Sequence, residues 1–375
     1  MWMALMIFLA ISSLVAIIYI VHCFHRTSFL KKLSKDHKIL SWILSLLPVC
    51  VIAAFGVINF MAIVVVMLHT VVFLIVADLL SLFILKIKKK STPESKTKAL
   101  TIGTILAVIT CTIYLGIGWY NAHHVTETGY TFYTAKPLPN NSLRIVALAD
   151  SHLSITLDKD SFAYQCERIQ KTNPDLVVIV GDFVDDESTK EDMVGSIKAL
   201  GELKTTYGVY FTYGNHDRGY YAAGYRNFSA EDLENELIKN NIHILRDATL
   251  LLDDTFYLTG RLDKWVDKNR LPASDLTANT DPDKFHLMLD HQPNDFKNEA
   301  ATNVDMVICG HTHGGHIFPT GTLSQWLGFG KVDLLYGTKH LQNTDFIVTS
   351  GISGWAMPFK TGCFSEYVVI DVISQ

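Results

Sequence analysis

Between Arg144 and His316 the chain repeats one arrangement: a short, β-branched apolar run breaks directly into a loop of Asp, His, Asn and Gly. RIVAL runs into ADSH, DLVVIV into GDFVDD, GVYFTY into GNHD, FHLML into DHQP, and VDMVI into CGHTHGGH. Helical patterns stand between several of these units, among them SFAYQCERIQ and SAEDLENELIKN, the latter opening on a Ser-x-x-Asp cap signal. Strands alternating with helices predict an α/β sheet fold. In such sheets ligands collect beyond the carboxyl ends of the strands. Polar clusters that are distant in sequence are therefore expected to converge in space.

The converging side chains have a definite chemistry. Asp150, His152, Asp182, Asn215, His216, His291, His311 and His313 supply carboxylates, imidazoles and one amide oxygen. That mixture suits divalent ions of intermediate softness such as Mn, Fe, Zn or Co; calcium favours an all-oxygen shell and structural zinc favours thiolates. One ion takes about four to six ligands, so the candidates are too many for one ion and about right for two. Taken singly, each residue has a plainer role: a loop cap for Asp150 or Asp182, a turn residue for His291, a turn former for Asn215. Their recurrence at five strand ends favours the metal reading. Asp185 and Asp186 are expected to be solvated acids. Tyr220, Tyr221 and Tyr225 are placed either along a groove or against the core, and Trp355, Met357 and Phe359 either at a lipid or apolar substrate or in the core.

The first third of the chain is different. Hydrophobic residues make up 49% of the whole and charged residues 18%, and the excess lies before residue 120. Four apolar runs, near 3–22, 39–58, 61–85 and 99–119, reach the roughly 20 residues a bilayer-spanning helix needs. The first lacks a basic start and a small-residue cleavage site, so it reads as a retained anchor. Arg26, Lys31, Lys32, Lys35 and Lys38 follow the first run, and Lys86, Lys88, Lys89, Lys90, Lys96 and Lys98 follow the third. These place both connections in the cytoplasm, and four crossings put the remainder outside it. His69 and Asp78 fall on opposite faces of the third run and are expected to be satisfied within the bundle. Residues 121–143, with Pro137, Pro139, Asn140 and Asn141, read as a linker before a domain at 144–375. The net charge of −5 offers no nucleic-acid footprint. Six cysteines without CxxC spacing carry neither a zinc-finger nor a disulfide signal.

The series DSH, GD, GNHD, H and GHTH, in this order, resembles the calcineurin-like metallophosphoesterase superfamily, in its membrane-associated bacterial phosphodiesterase branch. The resemblance implies an α/β sandwich of two mixed sheets flanked by helices, here preceded by an all-α four-helix transmembrane region. It implies two divalent ions (Mn, Fe or Zn), with Asp150, His152 and His313 on the first, Asn215, His291 and His311 on the second, and Asp182 bridging. His216, oriented by Asp217, would act on the leaving group. His316 stands where the family usually has glutamine, and Lys360 where it often has arginine; both are candidate substrate contacts, without the bidentate fork at Lys360. The activity implied is phosphoester hydrolysis by a metal-bridging hydroxide; the membrane anchor favours a phosphodiester or pyrophosphate, lipid- or envelope-linked, over a freely diffusing phosphoprotein, and a diester is expected rather than a monoester. A non-catalytic scaffold or sensor on the same fold is the competing reading, and it predicts degraded ligand positions.

Overall fold

The computed structural model describes residues 2–89, 92–220, 223–328 and 331–375, with backbone only for 2–10 and 223. Lys90 and Tyr221 lie outside the described residues. The chain divides into two compact units, Met1–Ile117 and Gly118–Gln375.

The first unit is helical: α1 (Trp2–His25), α2 (Ser28–Asp36), α3 (Lys38–Ala54), α4 (Phe60–Ile87) and most of α5 (Pro93–His123). Lys38–Val57, Phe60–Ile87 and Pro93–His123 are long and apolar enough to cross a membrane. Among the described residues, Ile11–His25 and Ser28–Asp36 make a fourth span if counted together across an 80° bend. Lys31, Lys32 and Lys35, read above as part of a connecting loop, lie on α2. The uncharged α3–α4 connection is a 3-10 turn, Phe55–Val57, and Asn59 caps α4 by accepting from Ala62 N at 2.8 Å. Asp78 is buried and satisfied: Tyr19 Oη donates to it at 2.8 Å, and Arg26 pairs with it. His69 Nδ1 lies 2.7 Å from Val65 O, one turn back on the same helix.

The second unit is a sandwich of two six-stranded sheets. The first sheet has the order β1 (Val125–Thr134), β12 (Ser365–Ser374), β2 (Ser142–Leu148), β3 (Leu176–Val180), β4 (Val209–Thr212), β5 (Ile242–Leu245). The second runs β10 (Gly337–Leu341), β11 (Thr344–Val348), β9 (Met306–Cys309), β8 (Phe285–Leu289), β7 (Phe256–Gly260), β6 (Ala248–Leu252). Strands β2 to β5 are mutually parallel, as are β7, β8, β9 and β11. Antiparallel partners flank both sets, β12 on β2, β6 on β7 and β10 on β11, so both sheets are mixed. Central strands β3 and β9 are apolar at every position because both faces are covered. Ile145, Ala147, Val178 and Val180 meet Leu258, Leu287, Leu289 and Ile308 between the sheets. Val146, Val177, Ile179 and Phe211 pack outward on helix residues Phe162, Ile169, Ile197 and Leu233, while Met288, Val307 and Phe346 do the same against Phe296 and Ala300.

The stretch 121–143 is not a linker. α5 continues to His123, and residues 125–134 pair in parallel with β12 along their whole length. The reason is readable in VTETGYTFYT, a β-branched and aromatic series with a half-buried alternation. Its breakers are confined to the short turn that follows, with Pro139–Asn141 in a 3-10 turn.

Candidate metal centre

Asp150 and His152 follow β2, Asp182 follows β3, and Asn215 and His216 follow β4; His291 follows β8, and His311 and His313 follow β9. One edge of the sandwich thus receives loops from both sheets. Backbone bonds lock these loops together: Asp150 N donates to Gly181 O at 3.0 Å, His152 N to Asp182 O at 3.1 Å, and Gly310 N to His291 O at 3.0 Å. Six non-glycine residues here have positive φ: Asp150, His152, Asp182, His311, His313 and His316. That region is costly for residues with a Cβ, and strain of this kind concentrates at binding sites. Gly181 shows why the loops can approach so closely, since a Cβ there would fall 2.4 Å from Gly214 N.

Two groups of donors result. One ligand atom from each of Asp150, His152 and His313 lies within 4.8 Å of the others, and the same holds for Asp182, His291 and His311. Asp182 stands between the groups, its Oδ2 3.0 Å from His291 Nε2 and 3.7 Å from His152 Nε2. His152 Nδ1 faces Asp185 Oδ2 at 3.1 Å, and His291 Nδ1 faces Val180 O at 2.8 Å. Each Nδ1 therefore carries the proton, leaving the Nε2 lone pair directed into the site. The Nε2 atoms of His152 and His313 are only 3.2 Å apart, and Asn215 Oδ1 is buried without a hydrogen-bond partner among the described residues. Acceptor atoms aimed at acceptor atoms make no sense as a self-contained network, since unpaired buried polar groups are expensive. They fit cations, and the donor set is one that transition-metal dications take.

The electrostatics bear the same mark. Burial raises the Asp150 carboxyl to about 6. Burial lowers His311 to about 4, with the neighbouring His291 adding to it, and lowers His313 well below the imidazole range. His291 is the exception: burial pulls it down, but the Asp182 charge lifts it well above its ordinary value. Burial pushes Asp182 up, and His291 overrides this to hold it below the carboxylate range.

The structure revises several expectations. Asp217 does not orient His216. Its carboxylate accepts from Asp182 N (2.9 Å), Phe183 N (2.8 Å), Val184 N (3.2 Å) and Gly214 N (2.7 Å), so it clamps the two loops after β3 and β4. The His216 ring instead packs edge-on at 5.1 Å from His152 and 5.0 Å from Tyr220, and tilted at 5.5 Å from Trp355. Lys360 is not available to substrate: it is fully buried, and Nζ donates to Ser350 O at 2.7 Å and Gly351 O at 3.0 Å. Its ammonium holds the segment whose Gly351 abuts Asp150, and burial lowers its pKa. Asp185 and Asp186 are buried rather than solvated; the former receives His152, and the latter accepts Tyr220 N at 2.9 Å. The His316 ring lies 5.2 Å from that of His313, with Nε2 buried and without a hydrogen-bond partner among the described residues. Tyr220 Oη accepts from Asn215 Nδ2 at 2.8 Å, while Tyr225 is exposed. Phe359 is buried and Trp355 is partly exposed.

Sequence reasoning missed a second charged cluster beside the first. Arg261 is buried and donates to Asp290 and Glu299, both at 2.8 Å, and pairs with Asp295 at 2.9 Å; Arg270 meets Asp290 at 2.9 Å. Asp263 accepts from Gln292 Nε2 at 2.8 Å. The available signal was GRLD, a further apolar run ending in charged residues after β7.

The two-sheet sandwich thus carries two candidate metal-ligating His/Asp groups side by side at the carboxyl ends of its strands. Residues 143–315 match the calcineurin-like phosphoesterase family model. It is similar to a Bos taurus transmembrane protein with metallophosphoesterase domain, 28% identical over 290 residues covering 72% of this chain and 62% of that one. A Helicobacter pylori metallophosphoesterase is 30% identical over 240 residues, covering 63% of this chain and 61% of the relative. An Aquifex aeolicus metallophosphoesterase is 26% identical over 254 residues, covering 65% and 90%. The match thus spans only about three fifths of the first two relatives. Among solved structures, a Danio rerio dimetal phosphatase aligns with a TM-score of 0.35 and 12% identity, over 56% of this chain and 87% of that one.

Proposed function

We propose that this protein is a membrane-anchored phosphoesterase that uses two divalent metal ions to hydrolyse a phosphodiester or pyrophosphate, lipid- or envelope-linked, outside the cytoplasm. Asp150, His152 and His313 would hold one ion, Asn215, His291 and His311 the other, with Asp182 shared. The observation that carries this reading is the Asp182 carboxylate standing between two groups of inward-directed imidazole nitrogens. When bound, such ions bring the pKa of water toward neutrality and stabilise charge developing on phosphoryl oxygens.

The remaining work falls to the chain. Asp185 and Val180 O fix the tautomers of His152 and His291, so the donor atoms are preset before any ligand arrives. Asp217 keeps the loops bearing Asp182 and Asn215 in register. His216, half-buried and held among His152, Tyr220 and Trp355, would give a proton to the departing oxygen. His216 N donates to Asp182 Oδ1 at 2.8 Å, tying the proton donor's backbone to the shared ligand. His316 is assigned to substrate contact.

The test is hydrolysis of bis-nitrophenyl phosphate by the purified full-length chain, with and without added Mn, beside Asp182→Ala. Metal-dependent turnover that the variant loses supports the reading; turnover indifferent to metal or to Asp182 ends it. A reporter fused to the carboxyl terminus, active only outside the cytoplasm, checks the orientation derived from the lysines of residues 26–38 and 86–98.

A further inference from the structure

The segment that follows the His311–His316 loop has no counterpart in the site. Between His316 and Lys331 the sequence IFPTGTLSQWLGFG contains no charged residue. Its helix, Thr320–Leu327, buries none of its residues. Phe318 is 56% exposed, Leu323 45%, Trp326 80% and Leu327 57%. A surface helix ordinarily hides its apolar stripe against the core, and a contiguous exposed patch of this kind marks an interaction surface.

Its attachment says what covers it. Phe318 N donates to Thr361 Oγ1 at 3.0 Å, and Thr361 N donates to His316 O at 2.9 Å. The neighbouring Lys360 N donates to Gly118 O at 2.8 Å, Asn121 Nδ2 donates to Lys360 O at 3.3 Å, and the Trp119 and Phe359 rings meet edge-on at 5.6 Å. Residues 359–361 therefore join the root of the exposed helix to the last turns of α5, within one compact unit. α5 is long and apolar enough to cross a bilayer, and only His124 separates it from β1. Where α5 leaves the bilayer, the strap and the helix rooted on it must follow. Trp119 and Tyr120, both partly or largely exposed, are the residue types that sit at headgroup depth.

We propose that the Thr320–Leu327 helix lies in the membrane interface and seats the metal centre at the headgroup layer, so that the substrate is a phosphoester whose alkyl part stays in the bilayer. Exposed Phe318, Leu323, Trp326 and Leu327 are the kinds of side chain that bury into the membrane interface, and affinity there scales with the apolar area buried. The placement stands on geometry alone; the substrate class rests on the phosphoesterase reading above.

The two parts are tested separately in the full-length chain in nanodiscs of phosphatidylcholine and phosphatidylglycerol. A fluorescent amino acid is placed at position 326 or, as control, at the exposed Ile238 on the helix Ala230–Lys239. Lipid-borne nitroxide is expected to quench position 326 strongly and position 238 weakly. Equal quenching overturns the placement, as does shielding at 326 that grows with protein concentration in detergent, which would mark a second copy as the occupant. For the substrate class, hexadecyl nitrophenyl phosphate in vesicles is compared with bis-nitrophenyl phosphate in solution. The Leu323→Ser/Trp326→Ser variant is expected to raise KM for the former about ten-fold, from the loss of two apolar contacts with lipid, and to leave turnover of the latter unchanged. A parallel loss on both, or on neither, overturns the assignment. Failure of the wild-type chain on bis-nitrophenyl phosphate would instead remove the phosphoesterase reading and leave the quenching result standing.

Discussion

Two buried charged clusters share the DHQP turn, and they are built on opposite rules. Asp290 faces Arg261 and Arg270, in a group where Glu299 and Asp295 also meet Arg261 at 2.8–2.9 Å. His291, the next residue, turns its Nε2 toward Asp182 among nitrogens and oxygens that point at one another. The first cluster carries its own counter-charges; the second sets acceptor atoms against one another, as a candidate cation site does. Burying both side by side separates what holds the β7–β8 edge together from what is reserved for ligands. The polar pairs of the helical unit follow the first rule, as Arg26, Tyr19 and Asp78 show.

That contrast predicts where mutations will be felt. Asp182→Asn keeps the shape of the shared ligand and removes its charge, so activity should fall by about 10³-fold, the scale of losing one preorganised electrostatic contact, while the denaturation midpoint moves little. Arg261→Met should do the reverse. It strands Glu299 and leaves Asp290 with Arg270 alone, and chemical denaturation followed by tryptophan fluorescence should register a loss of about 3–5 kcal/mol. Should Asp182→Asn prove the more destabilising of the two, the division between the clusters is wrong. Asp185→Asn tests the boundary: it weakens the partner of His152 Nδ1 without touching a donor atom, and Mn affinity by titration calorimetry should drop about 10–100-fold.

The smallest effect lies away from both clusters. His286, on β8, is held neutral by burial and by Lys136 behind it, with its pKa lowered from 6.5 to about 3. The unfolded chain therefore takes up this proton first on acidification. The folded state keeps its full stability above pH 6.5 and should lose about 1.4 kcal/mol per unit as pH falls from there toward 3. His286→Gln should flatten that slope by one proton. An unchanged slope in denaturation midpoints measured between pH 6.5 and 5 would show the imidazole is already free to ionise.

Much of the site could be read without coordinates, for a reason visible in each motif. A polar side chain at a strand's carboxyl end is specified locally, by an apolar run and the residues directly after it; Asp150, Asp182, Asn215 and His311 are all of that kind. Residues whose role depends on a partner far along the chain were misread. Lys360 looked like a phosphate contact and is a buried brace for Ser350 and Gly351. Asp217 looked like a partner of its neighbour His216 and instead gathers four backbone N–H groups from two loops. β1 hid in what read as a linker because its pairing partner, β12, lies at the other end of the chain.

The sequence alone thus determined the layered α/β architecture, the apolar character of the helical unit, and which residue types stand at the strand ends. Periodicity and loop chemistry are short-range properties, and a strand's direction fixes the end at which its loop emerges. Tertiary structure alone decided which carboxylates serve cations, which serve backbone amides and which serve guanidinium groups. A buried charge must find its counterpart in whatever the fold packs against it, and that neighbour is chosen by sheet order, not by sequence distance.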